Sequence, residues 1–121
     1  MKRDMDLIRK ILLKIGEYNG DDALQDIQIE GYTPEEIAYH VYLLENAGLI
    51  EGKVLFCIDS VKPSGYAIFR LNWNGQEFLD ACRNEGIWVK AKEKLKSIGG
   101  DAPIEVFKAL IIEIMKKQLG M

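Results

Sequence analysis

The sequence predicts an α+β protein that is mostly helical, and three observations support this prediction. Apolar residues recur at helical spacing in several segments of the 121-residue chain, which indicates amphipathic helices. Two segments near the middle, VLFCID and YAIFRL, instead alternate with period two, which is typical of paired strands. Proline, glycine and asparagine stand between these segments, where turns and helix ends are expected.

The first helix is predicted to begin at Asp4, a residue that can cap it, and to run to about Tyr18. Its inward side chains are predicted to be Leu7, Ile8, Ile11, Leu12 and Ile15. In the connection that follows, Ile27 and Ile29 alternate with polar neighbours, which predicts a short strand.

The second helix is predicted to begin after Thr33, which can cap it. Pro34 fits the first helical position, and Glu36 completes a capping box with the threonine. Gly48 is expected to end the helix because a glycine adopts the left-handed conformation that a helix terminus needs. The residues predicted to face inward are Ile37, Val41 and Leu44.

The two period-two segments predict a β-hairpin with its turn at KPSG, residues 62–65. Val54, Phe56 and Ile58 are predicted to share one face of its first strand. Both tryptophans, Trp73 and Trp88, are interpreted as packing residues beneath this hairpin.

Three helices are predicted after the hairpin. The third runs from Trp73 to about Asn84 with Asn72 as its cap, and a lysine-rich fourth runs from about Ile87 to Ser97. Gly99-Gly100 is the one linker-like position, and Asp101 with Pro103 opens a last helix to about Leu119. We expect one domain, residues 1–121, with a core of residues 1–85 and a helical extension of residues 86–121.

The predicted order of helix, short strand, helix, hairpin and helix is that of a winged-helix domain. Two motifs agree with this order. The run from His40 to Ile50 resembles the "HLxxLxxAGLV" segment that closes the recognition helix of metal-sensing winged-helix repressors. RLNWNGQEFL, residues 70–79, resembles the "RLTxxGxxxL" run with which many such repressors leave the second wing strand.

A closer resemblance covers nearly the whole chain. MKRDMDLIRKIL, YHVYLLENAGLI and LNWNGQEFLDACRN are similar to a group of short, uncharacterised proteins of bacteria and their prophages, grouped as a domain of unknown function. This resemblance implies a winged-helix fold and a bacterial or phage setting, and it implies no particular activity.

Composition argues against several classes of function. No apolar run is long enough for a membrane span, and the start of the chain lacks the pattern of a signal peptide, so we expect a cytoplasmic protein without membrane contact. Cys57, Cys82 and the single histidine, His40, do not have zinc-site spacing. Both cysteines are interpreted as reduced core thiols, and His40 as a partly buried, hydrogen-bonded side chain. Because nucleotide-binding and hydrolase motifs are absent, we expect no enzyme activity, cofactor or metal.

Charge bears on whether the second helix reads DNA. Residues 1–60 hold six basic and twelve acidic side chains, and no lysine or arginine occurs between Ile15 and Gly52. Because DNA-binding surfaces use cations to neutralise phosphates, this segment would repel a duplex. Duplex binding would therefore depend on cations elsewhere, namely Lys53, Lys62 and Arg70 on the hairpin and Arg9 and Lys10 on the first helix.

A protein partner is the favoured interpretation. The outward positions of the second helix include Tyr39, Tyr42, Leu43 and Asn46, and exposed tyrosines beside an exposed leucine are typical of interface cores. We therefore expect a non-enzymatic regulatory module that binds a protein, with duplex DNA as the alternative. A small-molecule sensor with a pocket under the terminal helices is a rarer third possibility.

The last helix predicts a homodimer. Ile104, Phe107, Ile111 and Ile114 follow a 3, 4, 3 spacing, and further apolar residues widen this stripe. One side can cover the chain's own first helix and the other can meet a second copy. The alternative is that both sides are buried within one chain.

Overall fold

The computed structural model describes residues 2–97 and 104–118, and it contains five helices and a two-stranded antiparallel sheet within those ranges. The elements in chain order are α1 (Met5–Glu17), α2 (Pro34–Asn46), β1 (Ile50–Phe56), β2 (Pro63–Leu71), α3 (Trp73–Cys82), α4 (Glu85–Ser97) and α5 (Ile104–Gln118). The protein is therefore α+β and mostly helical, as predicted.

The chain packs as two compact units, residues 1–76 and residues 77–121, with the boundary inside α3. The predicted division after residue 85 falls later, within α4. That the two units form one domain stays a prediction.

Helix α1 begins where the sequence predicts. The Asp4 carboxylate accepts hydrogen bonds from the backbone N–H groups of Asp6 at 2.9 Å and Leu7 at 3.2 Å. A cap of this kind stabilises a helix by about 1 kcal/mol. The predicted inward residues are all buried, namely Leu7, Ile8, Ile11, Leu12 and Ile15.

Helix α2 is closed at both ends by the predicted residues. At its start, Thr33 and Glu36 form both hydrogen bonds of a capping box, at 3.0 and 3.1 Å. At its end, Gly48 has a φ of 72°, and the N–H of Leu49 donates to the carbonyl of Leu44 at 3.1 Å. Leu44 and Leu49 are both buried, as in a Schellman motif. This helix packs on α1 and on both strands.

The hairpin forms, but its turn lies earlier than the sequence predicts. The turn occupies residues 57–62, where the N–H of Ser60 donates to the carbonyl of Cys57 at 3.1 Å. Pro63 already pairs with Phe56, because the first residue of a strand tolerates a missing N–H. Ile58 therefore lies outside β1 and is 93% exposed, so the prediction that it shares a strand face with Phe56 is wrong.

The predicted strand at Ile27 and Ile29 is wrong. The N–H of Ile27 donates to the hydroxyl of Tyr66 at 2.8 Å, so this backbone group has a side-chain partner and not a strand partner. Pairing occurs instead at Leu24, which forms an isolated antiparallel bridge with Ile68 through two hydrogen bonds of 2.8 and 2.9 Å. Strand β2 thus lies between β1 and this bridge.

Asn72 caps α3 as predicted, and it also connects this helix to the end of α2. Its Oδ1 accepts from the N–H of Gly75 at 2.8 Å, and its Nδ2 donates to the carbonyl of Gly48. A Cβ atom at position 75 would lie 1.9 Å from the carbonyl oxygen of Leu49. The glycine of the NWNG segment is therefore needed for close approach of two backbone segments.

The second unit has a core of its own. The ring of Phe107 lies 5.0 Å from that of Trp88 and 6.5 Å from that of Phe78, and all three side chains are buried. Helix α4 starts slightly earlier than predicted because Asn84 caps it by accepting from the N–H of Ile87 at 3.0 Å. The predicted linker at Gly99-Gly100 and the start and end signals Asp101, Pro103 and Leu119 lie outside the described residues.

Candidate interaction surface

Three aromatic rings meet where α2 approaches the hairpin. The centroids of Tyr39 and Tyr42, one turn apart on α2, are 6.5 Å apart with an interplanar angle of 34°. Tyr42 meets Phe56 of β1 edge to face, with centroids 5.7 Å apart and an angle of 87°. Both tyrosines are half-buried and Phe56 is 46% exposed. We call Tyr39, Tyr42 and Phe56 the aromatic surface.

Strand alternation explains why Phe56 reaches α2. Successive side chains of a strand point to opposite faces, and the register shift at Leu55 and Phe56 adds its extra residue to β2 and not to β1. Phe56 therefore shares a face with Val54, while Leu55 shares the other face with Lys53. The contact between Phe56 and Tyr42 shows that the first face is the one toward α2. Lys53 and Leu55 therefore point away from the aromatic surface.

Leu43 and Asn46, the other two residues predicted to bind a protein, also lie on the outer part of α2. Leu43 is half-buried, so it contributes less exposed area than the sequence predicts, and Asn46 is exposed. Both belong to the helix that carries two of the three rings. The structure thus brings the four predicted residues together on one element.

The charges of α2 around the aromatic surface are acidic. Glu35 lies one turn before Tyr39 and is exposed, and Glu45 follows Tyr42 by three residues and is half-buried. A groove of about 350 Å³ runs between the start of α2 and the hairpin turn, and it is lined by Glu35 on one side and Lys62 on the other. Lys62 thus places a positive charge beside the end of the aromatic surface that lies near the start of α2.

The inner side of α2 is held by the buried histidine. His40 is 2% exposed, and its Nε2 accepts from the backbone N–H of Asp4 at 2.8 Å. Its Nδ1 lies 2.7 Å from the carbonyl oxygen of Glu36, which can only accept, so Nδ1 carries the proton and the ring is neutral. The structure confirms the interpretation of His40 as a hydrogen-bonded structural side chain. It joins the cap of α1 to the first turn of α2.

Burial lowers the pKa of His40 below its ordinary value of 6.5. The hydrogen bond to Glu36 and the negative charges of Asp4 and Glu36 act in the opposite direction, and burial outweighs them. Tyr32 belongs to the same network, because its hydroxyl donates to Asp4 Oδ2 at 3.0 Å. Desolvation, and then the hydrogen bond and charge of Asp4, raise the pKa of Tyr32.

The cations predicted to dock on DNA lie on three parts of the structure: the outer face of the hairpin, the hairpin turn and α1. Lys53 is on the hairpin face that points away from α2, and Lys62 is in the hairpin turn. Arg70 forms an ion pair with Glu51, its cross-strand neighbour, at 2.5 Å. On α1, Lys10 lies 5.3 Å from the centroid of the Tyr32 ring, and Arg9 is half-buried.

Some of the residues predicted to form the dimer interface are already buried in the core of a single chain. Phe107 and Ile111 are fully buried and Ile114 is half-buried, while the side chain of Ile104 lies outside the described residues. The same 3, 4, 3 spacing predicts an intramolecular core as well as an interface, because both require one apolar stripe. Val106, at 46% exposure, is on another side of α5.

Several exposed apolar residues were not predicted. Trp73 is 77% exposed, so the prediction that it packs beneath the hairpin is wrong; it shares an exposed helical stripe with Gln76 and Asp80. Cys57, predicted to be buried, is exposed because it begins the hairpin turn, whereas Cys82 is buried as predicted. Leu55 is 56% exposed, and period-two alternation with Phe56 is the signal that could have placed it outward.

Two searches within residues 2–97 and 104–118 bear on other classes of site. No cluster of three or more histidine, cysteine, aspartate or glutamate side chains with metal-binding geometry occurs in this part of the chain. Over the same residues, no helix has the length and apolar character needed to cross a membrane.

Fold and surface together define a small, mostly helical α+β protein that presents an aromatic cluster formed by its second helix and first strand. The chain belongs to the family described as "Hypothetical protein (DUF2513)", whose sequence profile matches residues 2–101. A Haemophilus influenzae protein described as "Uncharacterized protein" is 33% identical over 121 residues, covering 99% of this chain and 100% of that protein. No solved structure matches the chain. The resemblance to a domain of unknown function is therefore confirmed.

Proposed function

We propose that this chain is a winged-helix regulatory module that acts by binding another protein, without catalysis and in a phage or prophage setting. The order of elements supports the winged-helix part, because α1, α2 and the β1–β2 hairpin follow one another as predicted, and an isolated bridge at Leu24 lies in the connection between α1 and α2, where the sequence predicts the short strand. In this scheme α2 is the recognition helix, the hairpin is the wing and Leu24 replaces the short first strand. The relative from Haemophilus influenzae agrees with a bacterial setting.

The observation that supports a protein partner is the aromatic surface. Tyrosine and phenylalanine are enriched in the cores of protein interfaces, where their rings bury a large area at a small entropic cost. Tyr39, Tyr42 and Phe56 are held in fixed mutual contacts, yet each keeps part of its ring exposed. Rings that are ordered before binding lose little conformational freedom when a partner covers them.

Duplex DNA is the alternative ligand, and the positions of the cations support it less well than the aromatic surface supports a protein partner. The groove-facing side of a reading helix needs donors and cations, but the charges of α2 are Glu35, Glu36 and Glu45. Of the hairpin cations, Arg70 already forms an exposed ion pair with Glu51, and Lys53 points away from α2. We therefore expect weak duplex binding that depends little on base sequence.

The proposal is tested by removing the two tyrosines of the aromatic surface together with the neighbouring Leu43. Replacing Tyr39, Tyr42 and Leu43 together with serine is expected to keep the circular dichroism spectrum of the protein and to abolish capture of any partner that the wild type retains from a bacterial lysate. Val89→Ser, a change at a 44% exposed residue of α4, is the control and should leave capture unchanged. Equal capture by the triple variant would place the interface elsewhere.

Duplex binding is measured separately by fluorescence anisotropy over a series of salt concentrations. We expect a small slope of log affinity against log salt, because few phosphates can be neutralised by Lys53 and Lys62. A tight, sequence-specific complex that persists at physiological salt would contradict a protein partner as the primary ligand. Charge reversal of Lys53, Lys62 and Arg70 would then identify the contacts.

A further inference from the structure

We infer that the aromatic surface binds an arginine-bearing segment of a partner protein, an inference that rests on the proposed function. Three features of the surface converge on this chemistry: partly exposed aromatic rings, acidic side chains on α2, and the lack of lysine and arginine in the segment of the sequence that contains α2. Together they favour a guanidinium over other side chains.

The rings provide the faces on which a guanidinium stacks. Aromatic rings carry negative charge on their faces, and arginine is the cation found most often against them. Tyr42 and Phe56 meet edge to face, so one of the two rings uses only its edge in this contact. The contact therefore leaves the faces of that ring uncovered by the other ring. Tyr39, tilted by 34° against Tyr42, extends this surface along α2.

The carboxylates provide the acceptors. Glu35 and Glu45 lie on α2 at either end of the tyrosine pair, and neither forms an ion pair with another described residue. No lysine or arginine occurs between Ile15 and Gly52, so α2 itself has no cation that could satisfy them. A guanidinium can stack on a ring and donate to a carboxylate at the same time, whereas a lysine ammonium is more strongly hydrated and lacks the planar fork.

The positions of the charged residues on the hairpin also fit an arginine-bearing partner. Lys53 and the ion pair between Arg70 and Glu51 belong to the outer face of the strands, so they do not contact a segment that lies on the aromatic surface. Lys62, across the groove from Glu35, limits the acidic area at one end. We therefore expect the arginine to lie nearer to Tyr42 and Glu45 than to this groove.

The experiment is a selection from a random-peptide display library on the full-length wild type, with removal of all peptides that also bind the Tyr39→Ser/Tyr42→Ser variant. The peptides that remain depend on the aromatic surface. We expect them to be enriched in arginine relative to the library, and to lose affinity when arginine is changed to lysine. Isothermal titration of one such peptide against the protein gives the affinity.

Matched charge variants complete the test. Glu35→Gln/Glu45→Gln is expected to weaken peptide binding by about three- to tenfold, as for the loss of two exposed ion pairs. Glu17→Gln/Glu30→Gln removes the same charge from two exposed residues elsewhere and should change affinity less than twofold by screening alone.

The outcomes separate the inference from the proposed function. Peptides that depend on the aromatic surface but are not enriched in arginine would overturn the inference and leave a protein-binding surface in place. If no peptide distinguishes the wild type from the tyrosine variant, the proposed surface is wrong, and the inference about its partner is wrong with it. Equal losses in the two glutamine variants would show only a general effect of net charge and would also overturn the inference.

Discussion

The two sides of α2 use the same helix for different purposes. The inner side holds Val41 and Leu44, which have no exposed area, and His40, whose two ring nitrogens both have hydrogen-bond partners. The outer side holds Tyr39 and Tyr42, which are half-buried and whose rings contact each other and Phe56 at tilted or edge-to-face angles. The ring of Tyr39 also meets that of His40 edge to face, with centroids 5.4 Å apart. Substitutions on the inner side should therefore change stability, and substitutions on the outer side should change binding.

The largest expected effect is from Leu44→Ala. Leu44 is fully buried, so shortening its side chain to alanine leaves a cavity. Its backbone carbonyl accepts the hydrogen bond that closes α2, so the surrounding backbone has little freedom to collapse into that cavity. We expect the free energy of unfolding to fall by about 2–5 kcal/mol. Denaturation in urea, followed by circular dichroism, measures this loss. A fall below about 1 kcal/mol would mean that the inner side of α2 is poorly packed.

Ile111→Lys tests whether α5, like the inner side of α2, belongs to the core of one chain or forms a dimer interface. Since Ile111 is fully buried within one chain, a lysine there should destabilise the isolated protein by several kcal/mol, roughly the cost of burying a charge or rearranging around it. Light scattering and urea denaturation of the same sample provide the measurement. A stable variant that has merely changed from dimer to monomer would support the predicted dimer instead. Val106→Lys, at an exposed position, is the control.

Replacing His40 is expected to lower the free energy of unfolding by less than Leu44→Ala does. His40→Ala leaves the N–H of Asp4 and the carbonyl of Glu36 without these partners, which should cost about 1–3 kcal/mol. His40→Gln can restore part of the hydrogen bonding and should recover part of the stability. Similar stabilities for the two variants would show that water replaces the ring without penalty.

Stability should also depend on pH through His40. Its folded pKa is below the unfolded value of 6.5, so the unfolded chain binds a proton more readily than the folded chain. The free energy of unfolding should therefore decrease as the pH falls from about 7.5 to 5.5, by at most about 1.4 kcal/mol per pH unit. The dependence should vanish in His40→Gln. An unchanged slope in that variant would assign the effect to carboxylates.

Tyr42→Ser should have the smallest effect on stability among these changes. The side chain is half-buried, and its edge contact with Phe56 contributes about 0.5–1.5 kcal/mol beyond the buried area, so we expect a loss near 1 kcal/mol. The effect on partner binding should be larger, since the few central interface residues that contribute about 2 kcal/mol or more are enriched in tyrosine. A variant that loses several kcal/mol of stability and no binding would reverse the assignment of the two sides.

Local sequence signals determined where the helices of the first unit begin and end. Asp4, Thr33, Glu36 and Gly48 act on backbone groups within a few residues of themselves, so their effect can be predicted without knowledge of the fold. The apolar periodicity of α1 and α2 likewise determined their buried sides, including all five inward residues of α1. The outward position of the two tyrosines follows from the same periodicity.

Only the tertiary structure decided which distant residues meet. The hydroxyl of Tyr66 takes the N–H of Ile27 across 39 residues, which prevents the strand that local alternation predicts. Phe56 joins Tyr42 because β1 passes beside α2, and His40 reaches the N–H of Asp4 because α1 packs on α2. The burial of Phe107 is of the same kind, because an apolar stripe has the same pattern whether the chain itself or a partner covers it. Local sequence records the preference of each segment, and packing selects the partner that satisfies it.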